Sequence, residues 1–586
     1  MNNILRKLAA AAVFLSLSLA AGAVPAKPGV WRIVTLADGS KVRVELRGDE
    51  FYGYWADAQG RGFRKDSASN VYLELSPKQI GETVKARRAI AEKARAGQRK
   101  APRRVTIGAP NNGYTGTKKG IIILVQFTDT KFTFGHNKTF YNRLANEVGF
   151  TTSLGFKGSV KDYFLAQSNG QFNLDFDIVG PYTLRHEVAY YGAHSGNSND
   201  VRPGAMVAEA VANADKDVDF ADYDWDGDGY VDQVFVLFAG LGEAAGGDES
   251  TIWPHEFNLA SSDYGHSYPT ADNVAVNTYA CGPEMTLSYT PLGYKKRVDG
   301  IGTICHEFSH CLGLPDMYDT QGSQYGMGTY DLMDQGSYNG ESFQPPYYSA
   351  YEKWYCGWAT PTELSEAATV KDMKPVAEGG QTFVIYNDNH KDEYYLLENR
   401  QQEGWDGSLY GKGLMITHVD FDATVWRYNL VNANYSYNDG TKTVTLNDHQ
   451  RCTIFHADNE DGTRTLASIA GDLYPYTDSL GNVNNGLSAS TLPSDTLYNA
   501  NAAGTHQMDK PVTNIVQNAD GTISFDFMGG SATNVIDGIE ALNVRRTADD
   551  EAVYNLMGMR MPVSNVQNGQ LPAGVYIRGG KKFVVK

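Results

Sequence analysis

Apolar residues along this chain fall into three patterns, and each predicts a different element. Gly120-Ile121-Ile122-Ile123-Leu124-Val125-Gln126-Phe127 is an unbroken apolar run of strand length, which predicts a strand covered on both faces. Gln233 to Gly240 (QVFVLFAG) reads the same way. Phe172 to Val179 (FNLDFDIV) alternates strictly, as a strand with one covered face does. Val160 to Ser168 and Met206 to Ala214 have helical spacing, and so does Tyr348 to Tyr355 after Pro345-Pro346. Ile304, Cys305, Phe308, Cys311 and Leu312 form the apolar stripe of a further helix. From 361 to about 530 the runs are short and alternating (Gln381 to Tyr386, Tyr394 to Glu398, Gly413 to Ile416), with Gly, Asn and Asp turns between them. That is an all-β pattern.

The two ends differ from the middle. Arg6 and Lys7, the apolar run Leu8 to Ala20 and the small residues Ala21-Gly22-Ala23 make residues 1–23 a signal peptide with a cleavage site. The run is too short for a membrane span, which needs about 20 residues, and no other stretch approaches that length. An exported protein, secreted or at the cell surface, is expected. Residues 24–104 begin with hairpin-like runs (Lys41 to Leu46, Phe51 to Trp55) and turn helix-like from Ser76. The segment then becomes basic: Lys85, Arg87, Arg88, Lys93, Arg95, Arg99, Lys100, Arg103 and Arg104 stand against the single acid Glu92. Such a stretch before an enzyme domain reads as a pro-segment with an accessible cleavage site. It holds no Cys, so a thiolate cannot be its inhibitory group. At the other end, Gly529-Gly530-Ser531-Ala532 is a small-residue linker before two hairpin-like units.

At 586 residues the chain has room for about four domains at roughly 150 residues each. Its formal charge of −17 excludes nucleic acid as a partner, because phosphate binding requires a basic face.

The chemistry is concentrated in 301–340. His306, Glu307 and His310 spell H-E-x-x-H; on a helix both imidazoles share one face, and Glu307 stands beside them as a general base. A catalytic zinc needs three protein ligands. Gly313 ends the helix with a left-handed turn, Pro315 prevents its continuation, and Asp316 follows. Asp319 is also near, but the extended H-E-x-x-H-x-x-G-x-x-D spacing favours Asp316. Tyr330-Asp331-Leu332-Met333-Asp334 has the form of a Met-turn.

HEFSHCLGLPDMYD together with YDLMDQGSYNG resembles the M6 (immune inhibitor A-like) metallopeptidases, and LLENRQQEGWD…GLMITHVD is similar to the β region that follows their catalytic unit. The resemblance implies an α+β fold: a metzincin-like zinc-peptidase domain at 105–360, a small pro-domain at 24–104 before it, and all-β domains at 361–530 and 531–586 after it. It also implies that Zn²⁺ is held by His306, His310 and Asp316, that Glu307 is the catalytic base, and that Met333 and Gly313 support the site. The last module resembles the short C-terminal β modules of exported Bacteroidetes proteins, some of which are sorting signals, so export machinery is an expected partner.

A second cation is expected at Asp224-x-Asp226-x-Asp228-Gly229-Tyr230-x-Asp232. The side chains of Asp224, Asp226, Asp228 and Asp232 and the carbonyl of Tyr230 are hard oxygen ligands at EF-hand-like spacing for structural Ca²⁺, with Asp222 in reach to complete the set. Phe235 stands where a full EF-hand has Glu. His255, Glu284 and the pair His418/Asp420 read as structural, and Tyr338 as a weak candidate oxyanion donor. Five Cys (281, 305, 311, 356 and 452) show no C-x-x-C spacing; export permits a disulfide from Cys281 to Cys305 or Cys311. The expected function is a secreted zinc endopeptidase made as a zymogen, acting on extracellular polypeptides. The alternative is a calcium-stabilised adhesion or matrix-binding protein with a secondary or silent peptidase unit.

Overall fold

The computed structural model of the chain describes residues 23–50, 52–66, 69–84, 114–194, 199–290, 293–320, 324–438, 442–461, 465–537, 553–555, 574–578 and 581–585. The signal peptide up to Gly22 and the basic stretch Lys85 to Arg104 therefore lie outside the described residues.

Five strands, β1 (Trp31–Thr35), β2 (Lys41–Arg47), β3 (Tyr54–Ala56), β4 (Gly62–Lys65) and β5 (Tyr72–Leu75), pair in chain order as an antiparallel meander. Its apolar side is small. Val34, Val44, Leu46, Trp55 and Phe63 are joined by Ala23 and Val24 before the sheet and by Ala244 and Trp253 far beyond it. A meander of this size buries too little on its own, and it completes its core on the next domain.

That domain is a mixed six-stranded sheet. β6 (Gly116–Gln126) lies centrally and pairs in parallel with β7 (Phe172–Thr183) and β8 (Phe235–Leu241). β8 pairs in parallel with β10 (Thr278–Thr290), whose other edge takes β9 (His255–Asn258) and β11 (Gly293–Val298), both antiparallel. β6 is covered on both faces, as its unbroken apolar run predicts. Ile122 and Leu124 pack with α1 (Lys138–Asn146), α2 (Val160–Gln167) and α4 (Ile301–Cys311), while Ile121, Ile123 and Val125 pack with α3 (Pro203–Ala214). α1 and β10 were not expected. β10 carries Gly282-Pro283, a pair that ordinarily reads as a turn. A short helix, α5 (Ala350–Cys356), closes the domain.

The β region is not an appended all-β domain. β12 (Thr362–Glu363), β14 (Phe383–Tyr386), β15 (Glu393–Arg400), β16 (Gly413–Asp420) and β17 (Cys452–Ile454) form one sheet in that order. Between β16 and β17 lies a helix, α6 (Ala423–Arg427). Val384, Tyr394, Leu396, Met415, Val419, Trp426 and Leu430 belong to the same core as α2, α4 and α5. The opposite face packs on a second sheet of β13 (Ala368–Met373), β18 (Val512–Gln517), β19 (Ile523–Phe527) and β20 (Val535–Asp537). The chain thus forms one compact unit to Ile536, and the strand Val535–Asp537 moves the break past the Gly-Gly linker at 529–530. A separate unit, 537–586, contains a three-stranded antiparallel sheet of Val553–Asn555, Gly574–Arg578 and Lys581–Val585; the remainder of the expected sorting module lies outside the described residues.

The disulfide from Cys281 to Cys305 or Cys311 does not form; Cys281, Cys305, Cys356 and Cys452 instead act as small apolar core residues. No described helix is long and apolar enough to cross a membrane.

Candidate metal centre

α4 is buried all round. Its apolar stripe of Ile304, Cys305, Phe308 and Leu312 faces the core as expected, and its N-terminal turn presses on the segment after the Met-turn. A Cβ on Gly302 would lie 1.9 Å from the Ser337 carbonyl, so only glycine allows that approach. The helix ends where Gly313 takes φ +96°, turning the chain so that Asp316 returns to the helix face.

His306 Nδ1 donates to the Leu332 carbonyl and His310 Nδ1 to the Leu314 carbonyl, each at 2.8 Å. These bonds fix both tautomers and leave the two Nε2 lone pairs facing inward. The Nε2 atoms are 3.2 Å apart, and Asp316 Oδ1 lies 3.3 Å from that of His306 and 3.1 Å from that of His310. Asp316 Oδ1 makes no hydrogen bond, although Asp316 is completely buried. Ligands about 2.0–2.1 Å from a tetrahedral zinc stand roughly 3.3 Å from one another. The donor set and its spacing fit that ion. Asp319, the other candidate, faces elsewhere and accepts from Gln324 N–H. Glu307 brings a carboxylate oxygen within 4.8 Å of a ring nitrogen of each histidine.

Beneath the histidines, Asp331 Oδ1 accepts from Met333 N–H at 2.7 Å, and Met317 N–H donates to the Met333 carbonyl at 2.8 Å. The Met-turn is thereby tied to the Asp316 loop. Glu352 lies beside Asp331; burial, reinforced by the Asp331 charge, raises its carboxyl well above the ordinary range. The β region grips the same turn from outside. Arg400 forks onto Asp406 at 2.6 and 2.7 Å and donates to the carbonyls of Tyr330 and Tyr347.

Residues 23–27 cover the metal face of α4. Val24 N–H donates to Glu307 Oε1 at 2.9 Å; Tyr318 OH donates to the Ala23 carbonyl at 2.9 Å, Trp253 Nε1 to that of Val24 at 3.0 Å and Tyr338 OH to that of Pro25 at 2.6 Å. Lys27 Nζ anchors the end on Thr286 Oγ1, the Leu287 carbonyl and Glu341. Tyr338 therefore holds a peptide carbonyl. Trp253 and Tyr318 escaped the sequence reading because no spacing rule connects them to the motif. Beside His310 a cleft of about 430 Å³ remains, lined in part by Glu256, Phe257 and Asn258 of β9.

In the acidic loop, Asp224, Asp226 and Asp232 each bring a carboxylate oxygen within 4.8 Å of the others. Gly227 and Gly229 supply positive φ. Asp228 stands outside this group and accepts from Tyr230 N–H, while Asp222, expected within reach, pairs with Lys119 at 2.7 Å. His255 bonds to the Trp253 carbonyl and Tyr279 OH, and Glu284 accepts from Thr133, His136 and Gly240; both are structural.

The catalytic-domain family described as Immune inhibitor A peptidase M6 matches residues 107–359. "Pre-pro-metalloprotease PrtV" of Vibrio cholerae is 28% identical over 297 residues, which cover 44% of this chain and 32% of that protein. "Immune inhibitor A" of Bacillus thuringiensis subsp. alesti is 26% identical over 297 residues, covering 43% of this chain and 42% of its own. The match thus spans less than half the length of either relative.

Proposed function

Because residues 107–359 match the catalytic-domain family described as Immune inhibitor A peptidase M6, we propose that this chain is an exported zinc-dependent endopeptidase made as a zymogen. The observation that carries the reading is the convergence of His306 Nε2, His310 Nε2 and Asp316 Oδ1 at 3.1–3.3 Å, with the Glu307 carboxylate beside them. Those three atoms would hold the ion. Zinc, when bound, supplies a Lewis acid that polarises a peptide carbonyl and lowers the pKa of a water to about 7. Glu307 takes the proton of that water and returns it to the leaving amine. The Leu332 and Leu314 carbonyls keep both imidazoles in the tautomer that would ligate the ion, and Met333, bonded to Asp331 and Met317, would support the site.

The segment 23–27 supports the zymogen reading, because its backbone N–H occupies the carboxylate that must accept the proton. Export processing after Ala23 would make Val24 the first residue and put a charged amine there. Release then requires the segment to leave, and cleavage in the basic stretch before residue 105 is the expected trigger. Asp224, Asp226 and Asp232, with the Tyr230 carbonyl, are the expected Ca²⁺ ligands.

Casein hydrolysis by the zinc-loaded protein, before and after limited trypsin treatment, tests this reading. Activity should appear on cleavage near Arg104 and be absent from Glu307→Ala. Hydrolysis undiminished in Glu307→Ala, or none from the cleaved wild type on any protein substrate, would overturn it.

A further inference from the structure

Asp316, the third candidate ligand, is not held by the family-matched domain alone. Its backbone N–H donates to Asn429 Oδ1 at 2.6 Å, and its Oδ2 accepts from Asn429 Nδ2. The two residues close a ring of reciprocal hydrogen bonds, with Asp316 0% and Asn429 2% exposed. This ring divides the carboxylate. Oδ2 is committed to Asn429, and Oδ1, which makes no hydrogen bond, is left facing both imidazoles.

Asn429 lies 113 residues beyond Asp316 and outside the match at 107–359. Local sequence explains how it is aimed. Asp422 caps the start of α6 by accepting from Thr424 and Val425 N–H. The helix ends with Leu430 N–H on the Val425 carbonyl and Asn429 N–H on that of Trp426, with Asn429 at φ +56°. After glycine, asparagine is the residue that best tolerates this left-handed position. Trp426 and Leu430 bury in the core shared with α4, so the helix end cannot drift. Three residues on, Asn432 donates to the Met317 and Cys452 carbonyls, both at 2.6 Å, and accepts from Arg451 and Cys452 N–H. A second asparagine thus fastens the ligand loop to β17, directly after Asp316.

We propose that Asn429 is a positioning residue for the metal ligand Asp316, so that the β region completes the metal centre. The inference rests on the metallopeptidase reading above. Its physical basis is pre-organisation: a carboxylate already fixed by one oxygen loses little rotational freedom when the other binds a cation. Without Asn429 the buried Oδ2 has no donor, and the carboxylate can rotate away from the imidazoles.

The test is zinc competition against a chromophoric chelator on the metal-stripped full chain, for wild type, Asn429→Gly and Asn429→Asp, alongside thermal melts in EDTA. Glycine keeps the left-handed backbone and deletes both side-chain bonds. Aspartate keeps the shape and the acceptor but sets a carboxylate where the donor was. Zinc affinity should fall about 10- to 100-fold in Asn429→Gly, in the range of lost outer-shell partners, and further in Asn429→Asp, with melting in EDTA lowered by the lost buried bonds but both variants folded at the temperature of the competition. Should the glycine variant fail to fold, the aspartate variant decides. Wild-type zinc affinity in both variants, even with lowered melting temperatures, would reduce Asn429 to a structural residue and overturn the inference, leaving the metallopeptidase reading intact. A wild-type chain that binds no zinc removes both.

Discussion

Of the buried clusters of histidine and carboxylate among the described residues, one lies at the end of α4 and another on the sheet of β15 and β16. They are built from the same residue types and end in opposite electrostatic states. On the sheet, His418 Nε2 meets Glu393 Oε1 at 2.9 Å, and Glu393 also accepts from the N–H groups of Tyr498 and Asn499 and from Asn387 Nδ2. Asp420 is met by Arg451, His449 and Asn499. His418 and His449 stack on the two faces of Tyr498. Every carboxylate oxygen there is saturated by donors, and a cation has nothing left to bind. At α4 the donors are turned the other way: both Nδ1 atoms bond outward to carbonyls, and two nitrogens and one oxygen face each other. A buried cluster with converging lone pairs invites a cation, whereas one with converging N–H groups is a structural clamp.

Breaking either cluster should give distinct phenotypes. The largest effect belongs to the first: Glu307→Gln should lower kcat of the processed enzyme by about 10²–10⁴-fold, the usual weight of a general acid–base group, with zinc content unchanged by atomic absorption. Next, His418→Ala should leave zinc content and kcat intact yet cost up to about 3 kcal/mol of stability in urea unfolding, because a buried ion-pair partner is lost. A fall in zinc content there would erase the distinction between the clusters.

A pH series sharpens the contrast. Burial pushes the Glu393 carboxyl up, but His418 and the Tyr498 and Asn499 amides outweigh it and hold it down to about 2. A depressed folded-state pKa gives stability that is full above the unfolded value of about 4.3 and is lost as pH falls toward 2. Urea melts from pH 5 to 2 should therefore show a steeper acid loss in wild type than in Glu393→Gln. The smallest effect belongs to the acidic loop, where Ca²⁺ should raise the melting temperature of wild type over EGTA by a few degrees. Asp226→Ala should erase that increment, because it removes one of the three clustered carboxylates. An increment of equal size in the variant would remove the calcium site.

The sequence revealed what is local. H-E-x-x-H, the Gly313 turn and Asp316 fall within eleven residues, so the helix and the turn that ends it bring them near one another, and the two-faced burial of β6 followed from its unbroken apolar run. What it did not reveal depends on contacts between distant segments. Val24-Pro25-Ala26-Lys27 has no periodicity, and only its docking against Trp253, Tyr318 and Tyr338 gives it meaning. Asn429 sits in a short helix end whose destination is fixed by tertiary packing. In the acidic loop the spacing offered four carboxylates, but Asp228 capped the next backbone N–H and left three. Alternation over 361–530 marks a covered face without saying what covers it, so the core that these strands share with α2, α4 and α5 was not legible.

The most direct test of this account is a crystal of the zinc-loaded protein measured on both sides of the zinc absorption edge. An anomalous peak in contact with His306 Nε2, His310 Nε2 and Asp316 Oδ1, and no peak at His418 or His449, is the predicted result. A zinc peak seated elsewhere, at the His456, Asp458 and Asp472 group for example, with none on α4, would contradict it.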